Sequence, residues 1–278
     1  MLAQLPCEIG LLIANSLGSD TDISSFARTS RVFYDQVLNF LYKNGQKNSE
    51  GQALIWACSE GEERTAELAM RNFNTDNADT HIWVYGRALS RASANGHLKL
   101  VTTILQKIET LLVEWDPYDC DDWVDIALIE AARYGHQSIV QLLVEAGGDI
   151  EINDEDGTPL IHATAAGHGN VVEYLLKRGA HVHCADKYGR TALHAAASKG
   201  DVKATEALIR HGAKADDVNP RDEDRNTALL LAAMEGHEGV VQFLLNQGAN
   251  DRHINNCGDT ALRLAEENGH ENVAKLLR

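Results

Sequence analysis

The chain has 278 residues, 44% hydrophobic and 24% charged with four prolines, which excludes a wholly disordered chain or a proline-rich scaffold. Lys and Arg total 25 against 41 Asp and Glu, and the resulting net charge of −16 repels a phosphate backbone, so nucleic acid is not expected as a partner. No run of 18 apolar residues occurs and the first ten residues carry Glu8 without a basic cluster, so neither a membrane span nor a secretory signal is expected, and the reading is a cytoplasmic or nuclear protein.

Residues 1–48 differ from the rest. Glu8, Asp20, Asp22 and Asp35 cancel Arg28, Arg31, Lys43 and Lys47, so the whole negative charge lies in 49–278. Three short amphipathic helices are predicted here. The first runs from Leu5-Pro6 through Ile9, Leu12, Ile13 and Leu17. The second follows Asp22 with Ile23, Phe26 and Ala27, and the third carries Val32, Phe33, Val37, Leu38 and Leu41. Three helices this short make a marginal core and need a neighbour or partner.

From residue 49 the chain repeats itself. Weak copies are anchored at Gln52-Ala53-Leu54 leading to Gly61, Arg87-Ala88-Leu89 leading to Gly96-His97, and Ile126-Ala127-Leu128 leading to Gly135-His136. Between the second and third lies an insert with Trp115, Pro117, Tyr118 and Trp123 among six carboxylates, the kind of insertion that maps to one face of an array. Strong copies start at Thr158-Pro159-Leu160, Thr191-Ala192-Leu193, Thr227-Ala228-Leu229 and Thr260-Ala261-Leu262, with threonines 33, 36 and 33 residues apart.

Each strong copy reads as a helix pair. Thr158 caps a first helix with Pro159 at its first position, and Leu160, Ala163 and Thr164 share a face until Gly167. Val171, Val172, Leu175 and Leu176 then mark a second helix ended by Gly179, and Ala180 to Gly189 make an extended finger. Arg225 stands at the position a turn glycine usually holds, in a finger three residues longer than the others.

This grammar resembles the ankyrin repeat, D-x-x-G-x-T-P-L-H-x-A-A-x-x-G-H. The resemblance implies an all-α solenoid of about seven helix-turn-helix repeats with finger loops over 49–278. The first segment, with Leu5-Pro6, Glu8-Ile9, Asp22-Ile23 and the Arg28 to Tyr34 block, resembles an F-box over 1–48. The combination is similar to fungal-type F-box/ankyrin proteins. That likeness implies docking on a Skp-type adaptor of a cullin–RING ubiquitin ligase through Leu5, Pro6, Ile9, Ile13, Ile23 and Phe26.

The five cysteines (Cys7, Cys58, Cys120, Cys184, Cys257) are odd in number and include no Cys-x-x-Cys, so reduced thiols are expected. His97, His136, His168, His237 and His270 follow the turn glycines and His194 follows the Thr-x-x pattern, places where repeat grammar gives a structural role. His181 and His183 do not fit that grammar. In an extended finger they share a face and so have the geometry to meet one metal, with Cys184 on the other side; two ligands do not close a site, so no metal and no cofactor is assigned.

No phosphate loop, nucleophile elbow or zinc-protease motif appears, and no catalytic residue is assigned. The functional expectation is a protein–protein interaction module, a substrate-recruiting ligase adaptor whose concave face holds a client protein. The client contacts would be Trp115, Tyr118, Trp123, His181, His183, Lys187, Tyr188, Arg190, Asp222, Arg225 and Arg252. Two alternatives stand beside it. One is a plain ankyrin scaffold whose head only caps the array. The other is a small-molecule isomerase, cyclase or hydrolase, which would call for a closed apolar pocket on the concave face.

Overall fold

A computed structural model describes residues 49–72, 78–112, 121–212 and 224–278. The described residues form fourteen helices and no strands, as the repeat requires. The F-box-like segment, with Leu5, Pro6, Ile9, Ile13, Ile23 and Phe26, lies outside the described residues, as do Trp115, Tyr118 and Asp222.

The chain divides into two compact units, with described residues 49–72, 78–92 and 99–112 in one and 93–98, 121–212 and 224–278 in the other. In the first, α1 (Ser49–Glu60) packs on α2 (Glu63–Asn72). Leu54, Ala57 and Cys58 of α1 and Ala66 and Ala69 of α2 are fully buried. Burial pushes the Cys58 thiol up to about 12, so it stays a neutral core group. Most of α3 (Ala78–Ala94) and of α4 (Leu98–Leu112) also belongs to this unit, with Val84, Tyr85, Leu89, Val101 and Ile104 buried.

The second unit holds five helix pairs: α5 (Asp121–Arg133) with α6 (Gln137–Glu145), α7 (Pro159–Ala166) with α8 (Gly169–Lys177), α9 (Ala192–Lys199) with α10 (Val202–Arg210), α11 (Ala228–Met234) with α12 (Glu238–Asn246), and α13 (Ala261–Glu267) with α14 (Glu271–Leu276). First helices stack on first helices in the order α5, α7, α9, α11, α13, and second helices on second helices alongside. Alanines at Ala163, Ala196, Ala197, Ala232, Ala233 and Ala265, all fully buried, let the first helices approach closely. Val171, Val172, Leu175, Val240, Val241 and Leu244 fill the space between the two layers.

Local chemistry sets the helix limits. Thr158, Thr227 and Thr260 each accept a backbone N–H three residues on, and Thr191 forms a reciprocal capping box with His194. The fingers are organised by an Asp or Asn three residues before the turn glycine. Asp186 Oδ1 accepts the Tyr188 and Arg190 amides at 2.9 Å each, and Asn255 Oδ1 accepts those of Cys257 and Asp259. In the longer finger Arg225 holds φ 61, in the left-handed region that glycine fills at Gly189 (φ 75) and Gly258 (φ 85).

Candidate functional site

The fingers and first helices of the second unit enclose a groove of about 700 Å³, open to solvent, lined by Arg133, Asp156, His162, Arg190, Lys199 and Glu235 among others. Its floor follows from the repeat. The last turns of α5, α7 and α9 present Arg133, Ala165 and Ser198 to the groove in successive copies, with Ala166, Lys199 and Glu235 beside them. The small alanines of α7 make the depression, and charged groups of both signs surround it.

At one end sits a cluster that sequence reasoning missed. His162 is buried, and its Nε2 lies 3.0 Å from Asp154 Oδ1. Arg133 Nη2 reaches Asp154 Oδ2 at 3.4 Å and also lies 3.5 Å from His162 Nε2. Burial by itself would raise the Asp154 carboxyl. The hydrogen bond and charge of His162, the Asp156 amide and the Arg133 guanidinium outweigh it and hold the group below its ordinary value. The signal was in the sequence as a shift of one residue. His194 sits three residues after its threonine and turns back to it, whereas Ile161 takes that place in the preceding copy and His162 comes one residue later. A step of one residue turns a helical side chain by about 100°, from the threonine cap to the Asp154 carboxylate.

On the next finger Arg190 donates to the buried Asp186 carboxylate from Nε and Nη2, both at 2.8 Å. Tyr188, 47% exposed, is flanked by Lys187 Nζ at 5.3 Å and the Arg190 guanidinium at 5.0 Å from its ring centroid. Lys187 in turn reaches Glu155 and Asp156 of the preceding finger, each at 3.3 Å. Successive fingers are tied by backbone too, since the Lys187 amide donates to Glu155 O.

Of the expected contact residues that are described, Arg190 alone lines this groove. Lys187 and Tyr188 stand next to it on the exposed finger tip, Arg225 and Arg252 are exposed on later fingers, and Trp123 is half-buried on α5. His181 and His183 are both exposed, but they are not paired as ligands. Val182 and His183 form a turn that breaks strand alternation, so Cys184 comes to the side of His181 rather than the opposite one. The grouping is Glu151, His181 and Cys184, with donor atoms all within 4.8 Å of one another.

The histidines after turn glycines bind across copies. Nε2 of His136, His168, His237 and His270 lies 2.9 to 3.0 Å from the carbonyl of Ala94, Arg133, Ser198 and Met234 respectively, the end of the first helix one copy earlier. His194 Nδ1 accepts the Thr191 amide, which leaves Nε2–H to donate to Asn226 O of the next copy. These side chains are staples between copies, in keeping with the structural role repeat grammar gives them.

A family model described as ankyrin repeats in three copies matches the chain over residues 89–186, 128–219, 179–252 and 213–278, together more than half its length. The chain belongs to the ankyrin-repeat family. As an ankyrin-repeat protein it is a protein-interaction module with an α-solenoid fold. It is 35% identical over 81 residues to the human NAD-capped RNA hydrolase NUDT12. It is also 38% identical over 157 residues to the ankyrin repeat and KH domain-containing protein mask-1 of Caenorhabditis elegans. A third relative, the transient receptor potential cation channel subfamily A member 1 homolog of the same nematode, is 28% identical over 190 residues. These matches cover 29%, 56% and 68% of this chain but only 17%, 6% and 12% of the relatives. Among the described residues no helix is long and apolar enough to cross a membrane.

Proposed function

We propose that this ankyrin array holds a client protein in the groove over α7 and α9, and that residues 1–48 form a separate F-box-like domain that docks on a Skp-type adaptor, so that a cullin–RING ligase modifies the client. The observation that carries the client half is the open groove itself. It offers Arg133, Arg190 and Lys199 beside Asp156 and Glu235, with the Tyr188 ring at its rim. Fixed charges of both signs around an alanine floor suit an extended polar segment with one small apolar side chain. An enclosed apolar chamber would instead suit a small-molecule enzyme, and this groove is open and mixed in polarity. The relatives carry names as different as a hydrolase and a channel homolog, so likeness to them does not assign this chain a chemistry. The adaptor half rests on the resemblance of residues 1–48 to an F-box.

Two experiments test the halves separately. Ala166→Arg places a long side chain in the groove from an exposed helical position and is expected to abolish client capture without lowering the unfolding midpoint. Unchanged client binding would place the client elsewhere. Leu5→Asp with Ile9→Asp is expected to abolish co-purification with the Skp-type adaptor; persistence of that complex would refute the head's role. Deleting residues 1–46 should leave the repeats monomeric and folded. Aggregation of the deleted chain would instead favour a capping head on a plain ankyrin scaffold.

A further inference from the structure

We propose that Glu151, His181 and Cys184 form a site for a divalent transition ion of the zinc class, built between two successive fingers and outside the client groove's lining. None of the three lines that groove. Glu151 comes from the finger before α7, and His181 and Cys184 come from the finger after α8, so the site joins one copy to the next.

The geometry is close to a coordination shell already. A tetrahedral ion with bonds of about 2.0–2.3 Å to oxygen, nitrogen and sulfur holds its ligands about 3.3–3.8 Å apart. Cys184 Sγ lies 3.4 Å from Glu151 Oε2, and His181 Nδ1 lies 3.6 Å from the same oxygen. All three donor atoms fall within 4.8 Å of one another, so the remaining separation closes with a small rotation of the His181 ring. That ring has room to turn, because its side chain is 74% exposed.

The carboxylate is held in place for this. Glu151 Oε1 accepts the His181 backbone amide at 2.9 Å, which fixes the carboxylate plane and leaves Oε2 toward the thiol and imidazole. Gly179 at φ 94 ends α8 and starts the finger, Ala180 and Val182 anchor it by burial, and the turn at Val182-His183 brings positions 181 and 184 together.

The ligand types select the metal. A thiolate, an imidazole and one carboxylate suit zinc or cobalt and are poor ligands for magnesium or calcium, which take oxygen. A thiolate and a carboxylate also neutralise a divalent charge. Three protein ligands leave the fourth position to water, as in open rather than closed zinc sites.

The test uses the full chain kept reduced with a phosphine and titrated with cobalt(II). Wild type is expected to develop a near-ultraviolet thiolate-to-cobalt band and intense visible bands of a four-coordinate ion, with one equivalent bound and displaced by zinc. Cys184→Ser should remove the thiolate band. His181→Ala and Glu151→Gln should each weaken binding at least tenfold, with circular dichroism confirming that the repeats remain folded. His183→Ala should bind as wild type does. Absence of the band in wild type, or its persistence in the Cys184→Ser protein, would overturn the proposal, and so would equal loss in the His183→Ala protein.

Discussion

A glycine and the histidine of the following copy act as one unit. Gly96, Gly135, Gly200 and Gly236 all hold φ between 74 and 79, and a Cβ on each would sit 2.4 to 2.6 Å from the ring of His136, His168, His237 or His270. Gly167 has the same left-handed backbone, φ 87, but its Cβ would meet nothing within 4 Å. The reason is in the sequence: the following copy carries Asp201 where the others carry histidine, and Asp201 caps α10 through the Ala204 amide instead. Gly167→Ala should therefore cost only the left-handed backbone penalty less the unfolded-chain entropy that alanine removes, roughly 0.5–1 kcal/mol net. Gly135→Ala should cost a further 1–3 kcal/mol or so for displacing His168 and its bond to Arg133 O. Urea unfolding of the two variants decides it, and equal midpoints would show that the interlock contributes nothing.

Asp154 gives the residue scale a pH signature. Its folded-state carboxyl is held below the ordinary value, so the stability it contributes is present above pH 4 and is lost as pH falls through the depressed folded value. Asp154→Asn should lower the urea midpoint at pH 7, and the gap from wild type should narrow as pH falls below about 4 and through the depressed folded value. A gap independent of pH would mean that the carboxylate's partners, His162 and Arg133, do not stabilise its charge.

At the scale of the element, the finger of Arg225 is the irregular one. A left-handed conformation costs an L-residue about 1–2 kcal/mol, and glycine gives back about 0.4–1 kcal/mol through its looser unfolded chain. Arg225→Gly should thus gain roughly 0.5–1 kcal/mol, because His253 Nε2 at 2.8 Å from the residue-225 carbonyl holds the backbone and not the side chain. Under the client-binding reading the same change removes a cation from the exposed finger row and should weaken the client complex, so stability and affinity should move in opposite directions. A loss of stability would show that the guanidinium itself holds the turn.

The helix pairs, their caps and the odd turn at Arg225 were legible because each is written within one copy, in periodic apolar residues, a threonine and a glycine. The groove cluster was not, since Arg133, Asp154 and His162 come from two copies and His162 differs from its equivalents by a single step along the helix. The Glu151–His181–Cys184 grouping was hidden for a different reason. Strand alternation pairs His181 with His183, and only a turn at Val182-His183 overrides it.

For the array of the second unit, contacts run chiefly from each helix pair to its neighbours: α11 packs on α9, α12 and α13. Stability in such an array is a sum of copy terms and interface terms, so damage should spread by neighbour rather than by all-or-none collapse. Leu229, fully buried on α11, provides the lever. Leu229→Ala should cost about 2–5 kcal/mol locally. Hydrogen exchange followed by mass spectrometry should then speed up in α9 through α13 while α5 and α6 keep wild-type protection. Uniform acceleration through α5 and α6 would mean that the second unit unfolds as one cooperative body, and that a client gripping the α7–α9 groove stabilises every copy equally. Protection confined to the neighbours would mean that the client stabilises chiefly the copies it touches. In that case a destabilised α11 copy would weaken binding only through the wall it shares with α9.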